Sequence, residues 1–266
     1  MWPTLFKVGD IEITTFGAMM ALAFVVGGWI LTRRFRRYGL GDDDASSIVI
    51  AAAVGGILGA KIYYAILYGD LTLVFSRAGL VWYGGFLGGV IASAIVARLH
   101  KLRFLVVADA ASPGLAVGYA LGRIGCFLVG DDYGRPTDGW FGVAFPKGAP
   151  PTTAESLRSF GVAIDPTLPG DALLRVHPTQ LYEAAAALLI FGALIVFARR
   201  PLAAGRVFGL FLVLAGIERF LVEILRAKDD RFFGPLTLAQ AISVAVVAIG
   251  IVLLVRRESE IIDTRE

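Results

Sequence analysis

The run FGAMMALAFVVGGWILTRRFRR, residues 16–37, decides what kind of protein this is. It is almost wholly apolar over 16–32 and then stops on Arg33, Arg34, Phe35, Arg36 and Arg37. A helix needs about 20 mostly apolar residues to cross a bilayer, and arginines gather at its cytoplasmic end. No small-residue cleavage site follows the run, so it reads as a retained membrane helix and not as a removable secretion signal.

Six further stretches approach the same length: 46–68, 80–97, 104–121, 179–198, 205–225 and 236–255. The chain is 57% hydrophobic with a mean hydropathy of +0.73, above the roughly 45–50% apolar usage of soluble domains. An all-α integral membrane protein of about seven spans is expected, as one membrane domain over 1–266. The basic residues confirm the arithmetic. Arg33–Arg37, the run Arg98, His100, Lys101 and Arg103, the pair Arg199 and Arg200, and the pair Arg256 and Arg257 all fall on one side only if the span number is odd. The positive-inside rule then puts the N-terminus outside and the C-terminus in the cytoplasm. The net charge of +3 therefore reads as topology signal, with no nucleic-acid partner expected. Cys126 is the only cysteine, which rules out an internal disulfide; it reads as a small buried hydrophobe.

The longest polar insertion, 130–176, falls on the outer side between the fourth and fifth spans. It holds six prolines and no long helical period, so a small extracytoplasmic head is expected, with a short strand over 140–145. GGILGA at 55–60 and GGFLGG at 84–89 resemble each other, and small-residue packing between helices accounts for them.

Charges in or beside membrane helices are costly, so they mark candidate sites. Arg219, Glu223 and Arg226 stand at i, i+4 and i+7, one stripe of alternating sign on an otherwise apolar helix. Either the stripe is a neutralised lock between helices, or its two arginines to one glutamate leave a positive surplus seeking an anion. GRIGCFLVGDDYGRPT, 122–137, begins where the fourth span ends. Arg123 there suits a phosphate, because its planar fork donates two parallel hydrogen bonds and stays charged. Asp131 and Asp132 are candidates to orient it or to move a proton, and Gly134 is among the glycines that let the chain bend. HPTQLYEA, 177–184, opens the fifth span. His177 is either a structural hydrogen-bonder or a proton acceptor, and Gln180, Tyr182 and Glu183 add polar groups at its depth. Tyr83, Gly84 and Gly85 top the third span, as an interfacial aromatic belt or as part of the site. Lys61, alone in the second span, reads as a snorkelling or pairing residue. All four sets come to the outer ends of their helices, which makes one cationic pocket there, and a lipid phosphate is its natural occupant.

These residues resemble the bacterial prolipoprotein diacylglyceryl transferase family. The likeness runs through GGFLGG, GRIGCF…DDYGRPT, HPTQLYE, and RFLVEILR followed by LTLAQ. It implies a seven-spanning enzyme of the bacterial inner membrane, with no cofactor or metal. That enzyme would move the diacylglyceryl group of phosphatidylglycerol onto the lipobox cysteine thiol of a preprolipoprotein, in lipoprotein biosynthesis. Within the resemblance Arg123 corresponds to the lipid-binding arginine, Arg219 to a second essential arginine, Glu223 to the acid one turn later, and Gly134 to the terminal glycine of the signature. The departures fall at the site: Tyr83 stands where the family has histidine, Cys126 where it has asparagine, Asp131 where it has glutamate and Ala215 where it has tyrosine. Unperturbed tyrosine titrates near 10, so Tyr83 is a poor base, and His177 or Asp131 are the substitutes to consider. The alternatives are a relative that binds phosphatidylglycerol but uses another acceptor or has lost transfer, or a small membrane transporter. A transporter would want polar residues through the bilayer midplane, where this sequence offers Lys61 and one stripe.

Overall fold

The computed structural model describes residues 1, 3–9, 11–76, 81–200, 202–228, 231–233 and 236–256. Leu80, the expected start of the third span, and Arg257 lie outside the described residues.

A hairpin that the hydropathy pattern does not announce, β1 (Thr4–Val8) with β2 (Ile11–Thr14), leads into α1, Thr15–Arg37. Thr14 starts that helix by accepting a hydrogen bond from the Gly17 N–H at 3.0 Å. α2, Asp42–Tyr68, opens on three aspartates, where the positive end of the helix dipole favours carboxylates. A short turn of tight helix, Leu71–Phe75, precedes α3 (Trp82–Leu99), and α4 follows over Phe104–Val129. The six-residue α5 (Ala154–Ser159) lies in the polar insertion. Then come α6 (Thr179–Phe197), α7 (Arg206–Glu223), a second small hairpin of β3 (Arg231–Phe233) with β4 (Leu236–Thr237), and α8 (Leu238–Val255).

Helices α1, α2, α3, α4, α6 and α8 are long and apolar enough to cross a membrane. Large apolar side chains on them face outward, Val25 and Leu189 among them, as a lipid solvent permits. α7 is also 18 residues long, about 27 Å, but carries Arg206, Glu218, Arg219 and Glu223.

The helices pack chiefly as α2 on α3, α1 on α4, α7 on α8 and α4 on α6. In the first pair the two glycine motifs meet each other. A Cβ on Gly88 would overlap the Gly55 carbonyl oxygen, and one on Gly84 would overlap that of Gly59. Association in lipid has little hydrophobic drive between helices, so backbone approach of this kind supplies it through dispersion.

Two sequence expectations need correction. α4 does not end near Leu121 but runs to Val129, so Gly122 and Gly125 are helical and the chain first turns at Gly130, with φ of 80°. Gly125 is small because α1 lies on it: an added Cβ would stand 3.1 Å from the Met19 Cβ. The second is the strand over 140–145, which reduces to one bridge between Val143 and Val176. The neighbouring donors are taken elsewhere: the Gly142 N–H bonds Gly139 in a turn, and the Phe145 N–H bonds the Thr152 hydroxyl at 3.0 Å. Tyr133, Phe145, Leu157 and Val176 give residues 130–176 a small apolar core of their own, completed by Ala227 from beyond α7.

Candidate functional site

Three of the four residue sets converge by direct contact. Arg123, on the last turns of α4, donates from Nη1 to Asp132 Oδ2 at 2.9 Å and sets its Nε 3.2 Å from Glu183 Oε2 on α6. Its guanidinium lies over the Tyr119 ring, 5.1 Å from the centroid, and the Tyr119 hydroxyl donates to Glu183 Oε1 at 2.8 Å. Glu183 is fully buried. The other oxygen of Asp132, Oδ1, accepts from Arg226 Nη2 at 2.6 Å. Arg226 Nε stands 3.8 Å from Glu223 Oε2, and the same oxygen takes Arg219 Nη2 at 2.5 Å. Arg123, Asp132, Arg226, Glu223 and Arg219 therefore form one chain of charges linking α4, the turn after it, and α7.

Backbone contacts hold the frame. Gln180 Nε2 donates to the Asp131 carbonyl at 2.5 Å, and the Thr179 hydroxyl donates to that of Asp132 at 3.0 Å. The Gly134 N–H donates to the His177 carbonyl at 2.9 Å, and the Arg135 N–H to that of Leu225 at 2.7 Å. Gly134, in the second set, is thus squeezed between the segments that carry the first and third sets. Asp132 adopts the left-handed region with φ of 56°, which aspartate tolerates better than most residues, and that turn aims its carboxylate at two guanidiniums. Burial works to raise the Asp132 carboxyl, but the Arg226 and Arg123 guanidiniums outweigh it and hold it at about 2. Burial lifts its neighbour Asp131 above the ordinary carboxylate range, against a hydrogen bond from the Cys126 thiol.

His177 packs against the Phe141 ring at 5.5 Å between centroids and places Nδ1 3.4 Å from the Tyr182 hydroxyl. Tyr83 stands apart. It is 44% exposed, its ring meets Trp82 edge-on, and its hydroxyl has no hydrogen bond among the described residues. Gly84 and Gly85 face α2 at Gly59 and Gly56. Lys61 donates to the Ser76 carbonyl at 2.6 Å, and Cys126 is buried in α4.

The pocket is also less cationic than the stripe on α7 implies. Asp132 and Glu183, folded in from other segments, answer the surplus of Arg219 and Arg226 over Glu223. One donor is left over: Arg219 Nη1 is buried with no hydrogen-bond partner among the described residues. Two site residues escape the sequence reading. Tyr119 sits four residues before Arg123, on the same helical face, and Glu218 sits beside Arg219. Helical spacing was the available signal for the first, and an unexplained charge in an apolar span for the second.

The chain matches the sequence model of the prolipoprotein diacylglyceryl transferase family over residues 3–256. It belongs to this family. Proteins named phosphatidylglycerol–prolipoprotein diacylglyceryl transferase are similar to it along nearly their whole lengths. The one from Geobacter sulfurreducens is 33% identical, over 95% of this chain and 94% of its own. That from Xanthomonas axonopodis pv. citri is 34% identical over 95% and 90%, and that from Clostridium tetani 30% over 94% and 96%. In this member of the diacylglyceryl transferase family, Gly122 and Arg123 stand near the end of α4 and Arg219 on α7.

Proposed function

We propose that this protein transfers the diacylglyceryl group of phosphatidylglycerol to the lipobox cysteine thiol of a preprolipoprotein, releasing glycerol phosphate. The reading takes α7 as a seventh span, its cost reduced because Arg219 is paired with Glu223. It puts 130–176 outside as a head, the N-terminus outside and the C-terminus in the cytoplasm, in the bacterial inner membrane. The alternation of basic clusters between helix ends supports that orientation.

The observation that carries the function is the linked set of three guanidiniums with Arg219 Nη1 unsatisfied. Such donors, fixed before substrate arrives, suit the phosphate oxygens of a lipid and the charge that grows on them as the carbon–oxygen bond breaks. In this reading Arg123 and Arg219 hold the phosphate, Glu223 and Arg226 orient Arg219 and Asp132, and Gln180, Tyr182 and Glu183 keep the α6 wall in register. The test uses purified protein with phosphatidylglycerol and a lipobox peptide, transfer being read by mass spectrometry. Arg123→Ala and Arg219→Ala should each abolish it, and full activity in both would sink the assignment.

A second reading, a family member that binds phosphatidylglycerol without transfer, is favoured by Tyr83, which is exposed and has no hydrogen bond among the described residues. Lipid retained through purification with no peptide modified by the unaltered protein would support it.

A further inference from the structure

Taking a thiol to a sulfur–carbon bond requires somewhere for its proton to go. Among the site carboxylates, Asp132 is committed to two arginines, Glu183 to Arg123 and Tyr119, Glu223 to Arg219, and Asp131 accepts from the Cys126 thiol. His177 is wedged between Phe141 and Tyr182, and the Tyr83 ring meets Trp82. Glu218 is different. It projects from α7 into the same interior, in the electrostatic field of Arg123 and Tyr119 from α4, Glu183 from α6, and Arg219 beside it. α8, on the opposite side of α7, has no titratable residue within Leu238–Val255. Glu218 makes no hydrogen bond or ion pair among the described residues, and its Oε1 is buried and without a partner. A buried acceptor with nothing to accept costs free energy, and a charged one costs more than a neutral one. Such an acceptor in the field of Arg123 and Arg219 calls for a use.

We propose that Glu218 accepts the proton of the acceptor thiol. The inference rests on the transferase reading above. The thiol proton passes to Glu218 Oε1 as sulfur attacks the glyceryl carbon. The bond from that carbon to the phosphate oxygen breaks, and its electron pair leaves on glycerol phosphate held by the arginines. The proton then passes from Glu218 to the departing phosphate or to water, which restores the carboxylate. The Glu183 and Arg123 pair beside it sets the opposing charges, and a change of charge on Glu218 breaks no ion pair among the described residues.

The test compares the full-length protein with Glu218→Gln and Glu218→Asp in detergent–phosphatidylglycerol micelles, with a lipobox peptide, from pH 5.5 to 9.5. A positioned base contributes about a hundredfold to ten-thousandfold. Glu218→Gln should therefore lose kcat on that scale with KM for the peptide and retained phosphatidylglycerol unchanged. Its residual rate should climb about tenfold per pH unit below the thiol pKa, because only ionised thiol then reacts. Glu218→Asp should recover part of kcat. A Glu218→Gln variant with the kcat and pH profile of the unaltered enzyme would overturn the inference and leave the transferase reading intact. A loss of rate with an unchanged pH profile would also overturn it, by assigning Glu218 a structural role. No transfer by the unaltered enzyme would overturn both.

Discussion

Gly134 is where three separate segments of the site touch, and an alanine there tests the whole frame. An ideal Cβ would lie 2.7 Å from the Leu225 carbonyl oxygen, 2.8 Å from His177 Cβ and 2.8 Å from Thr179 Cγ2. Comfortable carbon–carbon contact begins near 3.5 Å, so each neighbour must yield by about 0.7 Å, and they lie on different sides. Overpacking of this kind costs about 1–3 kcal/mol. Relief by backing the chain away would stretch the 2.9 Å bond to the His177 carbonyl and the 2.7 Å bond from Arg135 to the Leu225 carbonyl. Losing one of them adds about 0.5–1.5 kcal/mol. The total, about 1.5–4.5 kcal/mol, corresponds to a drop of roughly 3–18 °C in unfolding temperature for a chain of this size. The same movement separates Asp132 from Arg226, so phosphatidylglycerol binding should weaken as well. Thermal unfolding in detergent and titration with phosphatidylglycerol measure the two effects. Gly192 on α6 is the control, since an added Cβ there meets nothing within 4 Å and alanine suits a helix interior. Gly134→Ala unfolding with the unaltered protein, at the temperature shown by Gly192→Ala, would refute the reasoning.

Other outcomes follow from single contacts. Glu183→Ala leaves the Arg123 Nε and the Tyr119 hydroxyl without their buried partner, and should cost about 3–5 kcal/mol in thermal unfolding, with Glu183→Gln costing less because it still accepts from Tyr119. Asp109 on α4 accepts the Gly205 and Phe208 N–H groups at 2.7 Å each and so caps α7 from a neighbouring helix. Asp109→Ala should therefore speed amide exchange at the start of α7 and cost about 0.5–2 kcal/mol, the range for lost caps. Asp131 is raised by burial, so its charged form opposes folding, and the penalty grows as pH rises from the unfolded carboxylate value through the folded one. Asp131→Asn should thus gain stability at neutral pH and little near pH 4, read from melting curves at the two pH values. Asp132 runs the other way: held at about 2, it contributes fully above the unfolded carboxylate value and loses that contribution only as pH falls toward 2. Asp132→Asn should accordingly cost as much stability at pH 5 as at pH 7.

How much was legible beforehand varied with the range of the interaction. The helix of the Phe16 segment, the opening of α6 on Thr179 and the close of α8 on Val255 were readable because apolar length and flanking arginines act locally. The extension of α4 through Gly122 and Gly125 was not. Glycine reads as a bend in isolation, and only α1 lying on that face makes it a close-packing residue. Within the site, Arg123, Arg219 and Glu223 announced themselves as charges in apolar surroundings. Tyr119 did not, because an aromatic in a membrane helix is unremarkable until its hydroxyl is seen on Glu183.

By itself, the sequence determined that this is a membrane protein of the diacylglyceryl transferase family. Hydropathy and charge segregation are sums along the chain, and the signature residues are contiguous. Which arginine meets which carboxylate is a different matter. Asp132 and Arg226 are 94 residues apart, and Tyr119 and Glu183 are 64 apart, so nothing local pairs them. Only the packing of α4 against α6 and α7 turned an expected cationic pocket into three arginines matched by three carboxylates. It also left Arg219 Nη1 and Glu218 Oε1 without hydrogen-bond partners among the described residues, the first suited to a phosphate and the second to a proton.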